Sequence, residues 1–429
     1  MRESPAVDYV TGQGAYPMRS IIGVCTMAGL LVMGVAAPVL ALDFPITAIF
    51  KPDSAKPNDN TFTNTTPVSG YCATYPTQCS QFNMFSLDLP IRFDAVKEIQ
   101  PAHTDPRQGA MFSVPTQWRP LTVIHAGTGE QKTVEIRISG IGSRYILSTS
   151  AAELVGETDI LRGHQLLWAT SSWVYPPPPC QYSGVGAYEP NYYRFFWRTP
   201  TQGACAKQAL HRIPDMYFDS LNIAYELRTP NPLGMSSGQY TGNMTYSVGP
   251  GMDFDMGDVM IPNDSAINLS FALTVEHTLK VDVPPGGNRV ELVPEGGWQG
   301  WLERGRKPGR LFRDQTFNIS ASSRFKMQLQ CQYAVGDTCA VEDTAGNRVP
   351  LQVAVSLPAG LGREDGSPVH RQPLKLSGAG TQLFQPRFYV DRVAGALHFE
   401  IQRADVEQML ARDATTYRGN VTVIWDSEV

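Results

Sequence analysis

Apolar residues recur at every second position over much of this chain. Phe85, Leu87, Leu89, Ile91 and Phe93 alternate with polar or turn residues, as do Val134, Ile136 and Ile138. The same spacing returns at Phe325, Met327, Leu329 and Cys331, at Leu351, Val353, Val355 and Leu357, at Leu397, Phe399 and Ile401, and at Val421, Val423 and Trp425. Side chains two apart in an extended chain lie on one face, so each run predicts a strand with one buried side. The longest run occupies the odd positions from Ile267 to Val283 and is broken only by His277. It is about three times the usual strand length. This predicts one long strand, or a strand that bends between two sheets, with His277 as a hydrogen-bonded core residue. A single short helix is expected, with Asp405 as N-cap, Gln408 three residues later, and Val406, Met409 and Leu410 along one stripe. Punctuated by 38 Gly and 33 Pro, the pattern predicts an all-β chain built of β-sandwiches.

The N-terminus and the cysteines change this picture by adding a compartment. Met18, Arg19 and Ser20 precede an apolar run from Ile21 to Val35, and small residues then allow cleavage after Ala41. Residues 1–41 therefore read as a secretory signal peptide with Met18 as the true start. Cys25 would leave with it, and Cys72, Cys79, Cys180, Cys205, Cys331 and Cys339 would remain. An even set in an exported chain suggests disulfides. Close spacing favours Cys72 with Cys79, Cys180 with Cys205, and Cys331 with Cys339. No C-x-x-C pair or spaced histidine supports zinc, so no metal is expected.

The chain has 429 residues and a formal net charge of −5, which argues against a nucleic-acid partner. A Gly-, Pro- and Asp-rich stretch, Val248–Asp264, reads as a solvated linker between a domain at 42–247 and another at 265–429. Asp253, Asp255 and Asp258 within it lack calcium-loop spacing. The stretch from Trp168 to Trp197 is dense in aromatics. Trp168, Trp173, Tyr175, Tyr188, Tyr192, Tyr193 and Trp197 are candidate ligand-binding residues, since rings bearing OH and NH groups suit the apolar face and polar edge of a sugar. The alternative is that several of them fill the first core. A basic segment, Glu303–Arg313, reads as a solvated loop. No nucleophile elbow, Walker loop, dinucleotide fingerprint or zinc-protease motif occurs. No catalytic residue or cofactor is therefore expected, although two unremarkable carboxylates would suffice for a glycosidase.

Several segments together carry a family likeness. The export signal, Phe62–Cys79 (FTNTTPVSGYC…C), Leu273–Trp298, Leu311–Cys331 and the terminal Tyr417–Val429 (YRGNVTVIWDSEV) resemble the tip adhesins of chaperone-usher fimbriae, most strongly over residues 265–429. The resemblance implies a lectin-like receptor-binding domain followed by an incomplete immunoglobulin-like pilin domain that lacks its last strand. A periplasmic chaperone and then the next fimbrial subunit would supply that strand by donor-strand complementation. The implied partners also include the outer-membrane usher and a host or environmental glycan or glycoprotein receptor, and the implied location is the fimbrium tip at the cell surface. The positions matching the family's final strand and terminal carboxylate are Val421, Val423, Trp425 and Val429. The family departs from this chain in the Gly/Pro-rich basic insertion 284–313. The alternative readings are a secreted carbohydrate-active enzyme, such as a glycoside hydrolase with a β-sandwich module, and a non-adhesive structural pilus subunit.

Overall fold

The computed structural model of the protein describes residues 43–305, 307–412 and 415–427. The expected signal segment through Ala41 and the terminal Val429 lie outside the described residues. Alternation has its predicted result, and the described chain is dominated by strands arranged around two hydrophobic cores.

Among the described residues, one continuous branching sheet of 13 strands walls the first core. Its main members are β1 (Asp43–Phe50), β2 (Phe85–Leu89), β3 (Arg119–His125), β4 (Gln131–Leu147), β5 (Gln181–Glu189), β6 (Tyr192–Arg198), β7 (Leu221–Arg228), β8 (Gly238–Ser247) and β9 (Ala266–Val275). The spine is β4, 17 residues long. It pairs β3 near its start, β6 over Gly140–Ile146, and β7 on its other edge. Two short helices, α1 (Tyr71–Thr74) and α2 (Pro76–Gln81), form a cap joined by the Cys72–Cys79 disulfide. Cys180 is bonded to Cys205 beside the same core.

The solvated linker expected at Val248–Asp264 is not one. Phe254, Met256, Val259 and Met260 are fully buried in the first core. The three aspartates are held by arginines: Asp255 and Asp258 lie 2.6 Å and 2.7 Å from Arg107, and Asp253 pairs with Arg119. Glycine and proline here shape a packed loop, and no apolar period is needed to bury it. The boundary at residue 265 is corrected with it. β9 pairs β8 and runs parallel to β1, with Ile267 to Val275 inside the first core.

The long alternating run does bend between sheets. It leaves the first core after Val275 and resumes as β10 (Leu279–Asp282) in a different sheet. His277 occupies the crossing. Its Nε2 lies 3.0 Å from the Met235 carbonyl, its Nδ1 lies 3.1 Å from Ser322 Oγ, and its ring meets Phe50 edge-on.

The second core lies between an eight-stranded sheet and a four-stranded sheet, both counted among the described residues. The first contains β10, β11 (Leu311–Ala321), β13 (Thr338–Glu342), β14 (Arg348–Ser356) and β16 (Val390–Ile401). The second contains β12 (Phe325–Cys331), β15 (Phe384–Pro386) and β17 (Val421–Ser427). Phe317 and Ile319 from one sheet pack with Phe325, Met327 and Phe384 from the other. The Cys331–Cys339 disulfide joins β12 to β13 across the two sheets. The predicted helix runs from Arg403 to Leu410. Its N-cap is Gln402, so Asp405 lies in the first turn, and Val406 is its buried residue.

A carboxylate ties the β3–β4 turn to β8. Glu130 accepts from the Ser236 amide at 3.0 Å and from the Tyr240 hydroxyl, and pairs with Lys132 at 2.8 Å. Burial alone would raise the Glu130 carboxyl, but these donors outweigh it and hold it at about 2. A depressed carboxyl contributes stability above its ordinary value of 4.5, and this is lost as pH falls through 2. Glu130→Gln is expected to cost about 2 kcal/mol at pH 7. It should also flatten the acid slope of stability between those two pH values, as measured by urea denaturation.

Candidate functional site

The aromatic-rich segment divides by strand parity. On β6, Tyr193, Phe195 and Trp197 point into the first core, while Tyr192, Arg194, Phe196 and Arg198 alternate outward. Trp173 stacks on Trp197 with centroids 5.1 Å apart, and Trp168 meets Trp173 edge-on at 5.2 Å. Two of the three indole N–H groups are used internally, and Trp197 Nε1 donates to the Trp173 carbonyl at 2.7 Å. Trp168 Nε1 donates to the Tyr145 hydroxyl, which bonds His164 Nδ1 at 2.7 Å, and His164 Nε2 lies 2.8 Å from the Glu189 carbonyl. Burial lowers the His164 imidazole, against the opposing pull of the Glu189 carbonyl. The loop between the two tryptophans wraps the buried Lys207, whose ammonium donates to the carbonyls of Thr170, Ser171 and Ser172.

Four of the seven aromatic candidates are thus corrected to core residues: Trp168, Trp173, Tyr193 and Trp197. The other three do not converge. Tyr175 is exposed and stacks on Tyr182, Tyr188 is exposed beside Tyr193, and Tyr192 is half-buried with the Arg144 guanidinium 5.0 Å from its ring.

A pocket of about 350 Å³ lies elsewhere, between the α1–α2 cap and the outward face of β4, β6 and β7. That volume is within the range of small-molecule sites. The cap sits flat because Tyr71 stacks on Phe196, with centroids 3.8 Å apart and an interplanar angle of 1°. Phe196 in turn lies on Gly142, where a Cβ would come within 2.7 Å of its ring. Gly70 enters the cap at φ +67°, a left-handed conformation that favours glycine, and a Cβ there would overlap the Asn222 amide. Asn222 Oδ1 accepts from the Tyr71 amide at 3.1 Å, and Ser86 Oγ accepts from the Cys72 amide at 2.7 Å. Burial raises the Tyr71 hydroxyl, against the lowering effect of Arg198, so it stays protonated at neutral pH.

The pocket walls include Tyr71, Tyr75, Asp88, Arg144, Arg194 and Asn222. Arg144 is held by Asp219, with Nε 2.7 Å from Oδ2. These residues come from five separate segments, and alternation offers only one clue to them: Arg194 interrupts the aromatic strand YYRFFWR on its outward parity.

A second feature is the outer edge of β17. On β12, the Met327 and Leu329 amides donate away from β17, to the carbonyls of Thr381 and Lys375. In antiparallel register Met327 opposes Trp425 and Leu329 opposes Val423. Val423 and Trp425 therefore turn their own N–H and C=O groups outward, and no described strand pairs with that edge. The side chains of Val421, Val423 and Trp425 pack against the second core but remain half-buried. Trp425 meets Phe317 edge-on at 4.9 Å. On the facing sheet β10 is also an edge strand, with Leu279 and Val281 half-buried.

The histidines are scattered in sequence, yet strand register assembles one constellation. His398 Nδ1 lies 2.7 Å from Asp314 Oδ1, and Nε2 lies 2.8 Å from Ser356 Oγ, on the adjacent strands β16, β11 and β14. This is the order of a nucleophilic triad. The Arg371 amide donates to the same Ser356 oxygen at 3.0 Å, and its guanidinium reaches Asp314 and Glu400. The network clamps the Arg371 loop onto the sheet. Among the described residues, no group of three or more His, Cys, Asp or Glu side chains is placed to hold a metal ion.

No protein-family model matches the chain, and no curated protein matches it. Among solved structures, it is similar to the chaperone–tip adhesin complex of CFA/I fimbriae, at 8% identity over 90% of this chain and 97% of that chain, with a TM-score of 0.25. It is also similar to CfaE, the adhesive subunit of the CFA/I fimbria of enterotoxigenic Escherichia coli, at 10% identity over 90% and 95% of the two chains, with a TM-score of 0.23. A third is the CsuC–CsuE chaperone–tip adhesion subunit complex of the archaic chaperone-usher Csu pili of Acinetobacter baumannii, at 9% identity over 90% and 98%, with a TM-score of 0.21. Superposition this loose carries no weight by itself.

Burial separates the aromatics energetically. Trp173→Ala is expected to cost about 3–5 kcal/mol of stability, and Tyr175→Ala about 0.5 kcal/mol or less, measured by chemical denaturation of the full mature chain.

Proposed function

We propose that the chain is the tip adhesin of a chaperone-usher fimbrium, exported to the cell surface. Its first domain, here 43–275, binds a glycan or glycoprotein receptor at the pocket beneath the α1–α2 cap. Its second, from Leu279 onward, is a pilin domain completed by a strand from a partner. The observation that carries this reading is the β17 edge. Unpaired backbone groups at Val423 and Trp425 alternate with a ladder to β12, beside apolar side chains that are only half covered. Such an edge is an aggregation hazard unless another chain pairs with it, and strand addition satisfies both its backbone and its apolar face. The sequence resemblance supplies the identity of the partners: a periplasmic chaperone, the outer-membrane usher and the next subunit. Val421, Val423 and Trp425 would form the contact, together with Val429 outside the described residues.

Two substitutions test the register. Proline removes an N–H, which an edge strand tolerates only where that N–H faces solvent. Val423→Pro should therefore leave a folded chain that a chaperone or an alternating apolar donor peptide no longer stabilises, with affinity reduced at least about tenfold. Ile424→Pro should unfold β17 itself, because its amide bonds β12. Thermal unfolding with and without peptide reads both. Wild-type protein that gains no stability from any donor strand or chaperone would contradict the proposal.

A further inference from the structure

The pocket holds a positive charge that has no partner among the described residues. Arg144 and Arg194 stand directly opposite each other on β4 and β6. Opposed like charges destabilise a strand pair, and the fold compensates for only one of them. Asp219 binds Arg144 through Nε and Nη2. Arg194 is exposed and, among the described residues, has neither a carboxylate partner nor a side-chain hydrogen bond. A bidentate anion on Arg194 would relieve that repulsion, and a guanidinium fork matches a carboxylate in plane and spacing.

The rest of the lining is of a different kind. Asp88 and Asn222, whose side chains are 3.5 Å apart, offer acceptors and a donor to hydroxyl groups. Tyr75, half-buried with its ring centroid 5.4 Å from that of the buried Tyr71, adds aromatic surface for an apolar C–H face. The Asp88 carboxylate also disfavours a densely sulfated chain, which would bring several negative charges beside it.

We infer that the pocket takes a terminal acidic sugar, with its carboxylate on Arg194 and its hydroxyls toward Asp88 and Asn222. This rests on the glycan-receptor reading of the pocket given above and names its ligand class.

The test is binding of the full mature chain to matched glycans ending in a sialic acid, a hexuronic acid, the methyl ester of each, or a neutral hexose. Arg194→Gln and Arg194→Lys are compared with wild type, and thermal unfolding verifies the fold of each variant. One or both acids should bind. Methyl esterification or Arg194→Gln should weaken that binding about 10- to 100-fold, Arg194→Lys should retain part of it, and rising salt should weaken it. Equal binding of esters and acids, or of wild type and Arg194→Gln, overturns the acidic-sugar assignment while the glycan reading stands. Failure of every glycan to bind overturns both.

Discussion

A strand that ends a sheet must leave half its backbone to solvent or find another strand to pair with. In the second core this constraint falls on β17. Its inward groups at Thr422, Ile424 and Asp426 face β12, while Val423 and Trp425 face outward with no described partner. The side chains of the outward-bonding residues also cover the core, since Trp425 packs on Phe317 and Phe325. One missing strand would thus leave both the hydrogen bonding and the packing of this region unfinished. The Cys331–Cys339 disulfide ties the two sheets together, and the clamp through Asp314, His398, Ser356 and Arg371 holds a loop onto the larger one.

The first core solves the opposite problem. It encloses an aromatic cluster whose polar atoms would be costly to bury unpaired, and it pairs most of them internally through Trp168, Tyr145, His164 and the Glu189 carbonyl. Rigid packing behind β4 and β6 fixes the outward face on which Arg144, Arg194 and Phe196 stand. The disulfide-closed cap then leaves a pocket between itself and that face. The pocket therefore lies on the side of the sheet opposite the aromatic core.

Period-two alternation made the strands legible, including the run from Ile267 that crosses from one sheet to the other at His277. Close spacing favoured the three disulfides that the structure contains. Alternation could not say which aromatics were buried. Trp168 and Trp173 lie in irregular chain, where burial follows from loop packing and not from a period. The same blindness made Val248–Asp264 resemble a linker, because its apolar residues Phe254, Met256 and Val259 follow no repeat yet enter the core. The pocket was illegible for a different reason: Tyr71, Asp88, Arg144, Arg194 and Asn222 are brought together by sheet register over distant segments.

Site-resolved amide hydrogen exchange measures the pairing of the β17 backbone directly. In the free mature chain, the Val423 and Trp425 amides should exchange rapidly while those of Thr422, Ile424 and Asp426 are protected. Adding a chaperone or donor strand should protect all five. Slow exchange at Val423 and Trp425 in the free chain would contradict the account, because it would mean that this edge is already paired.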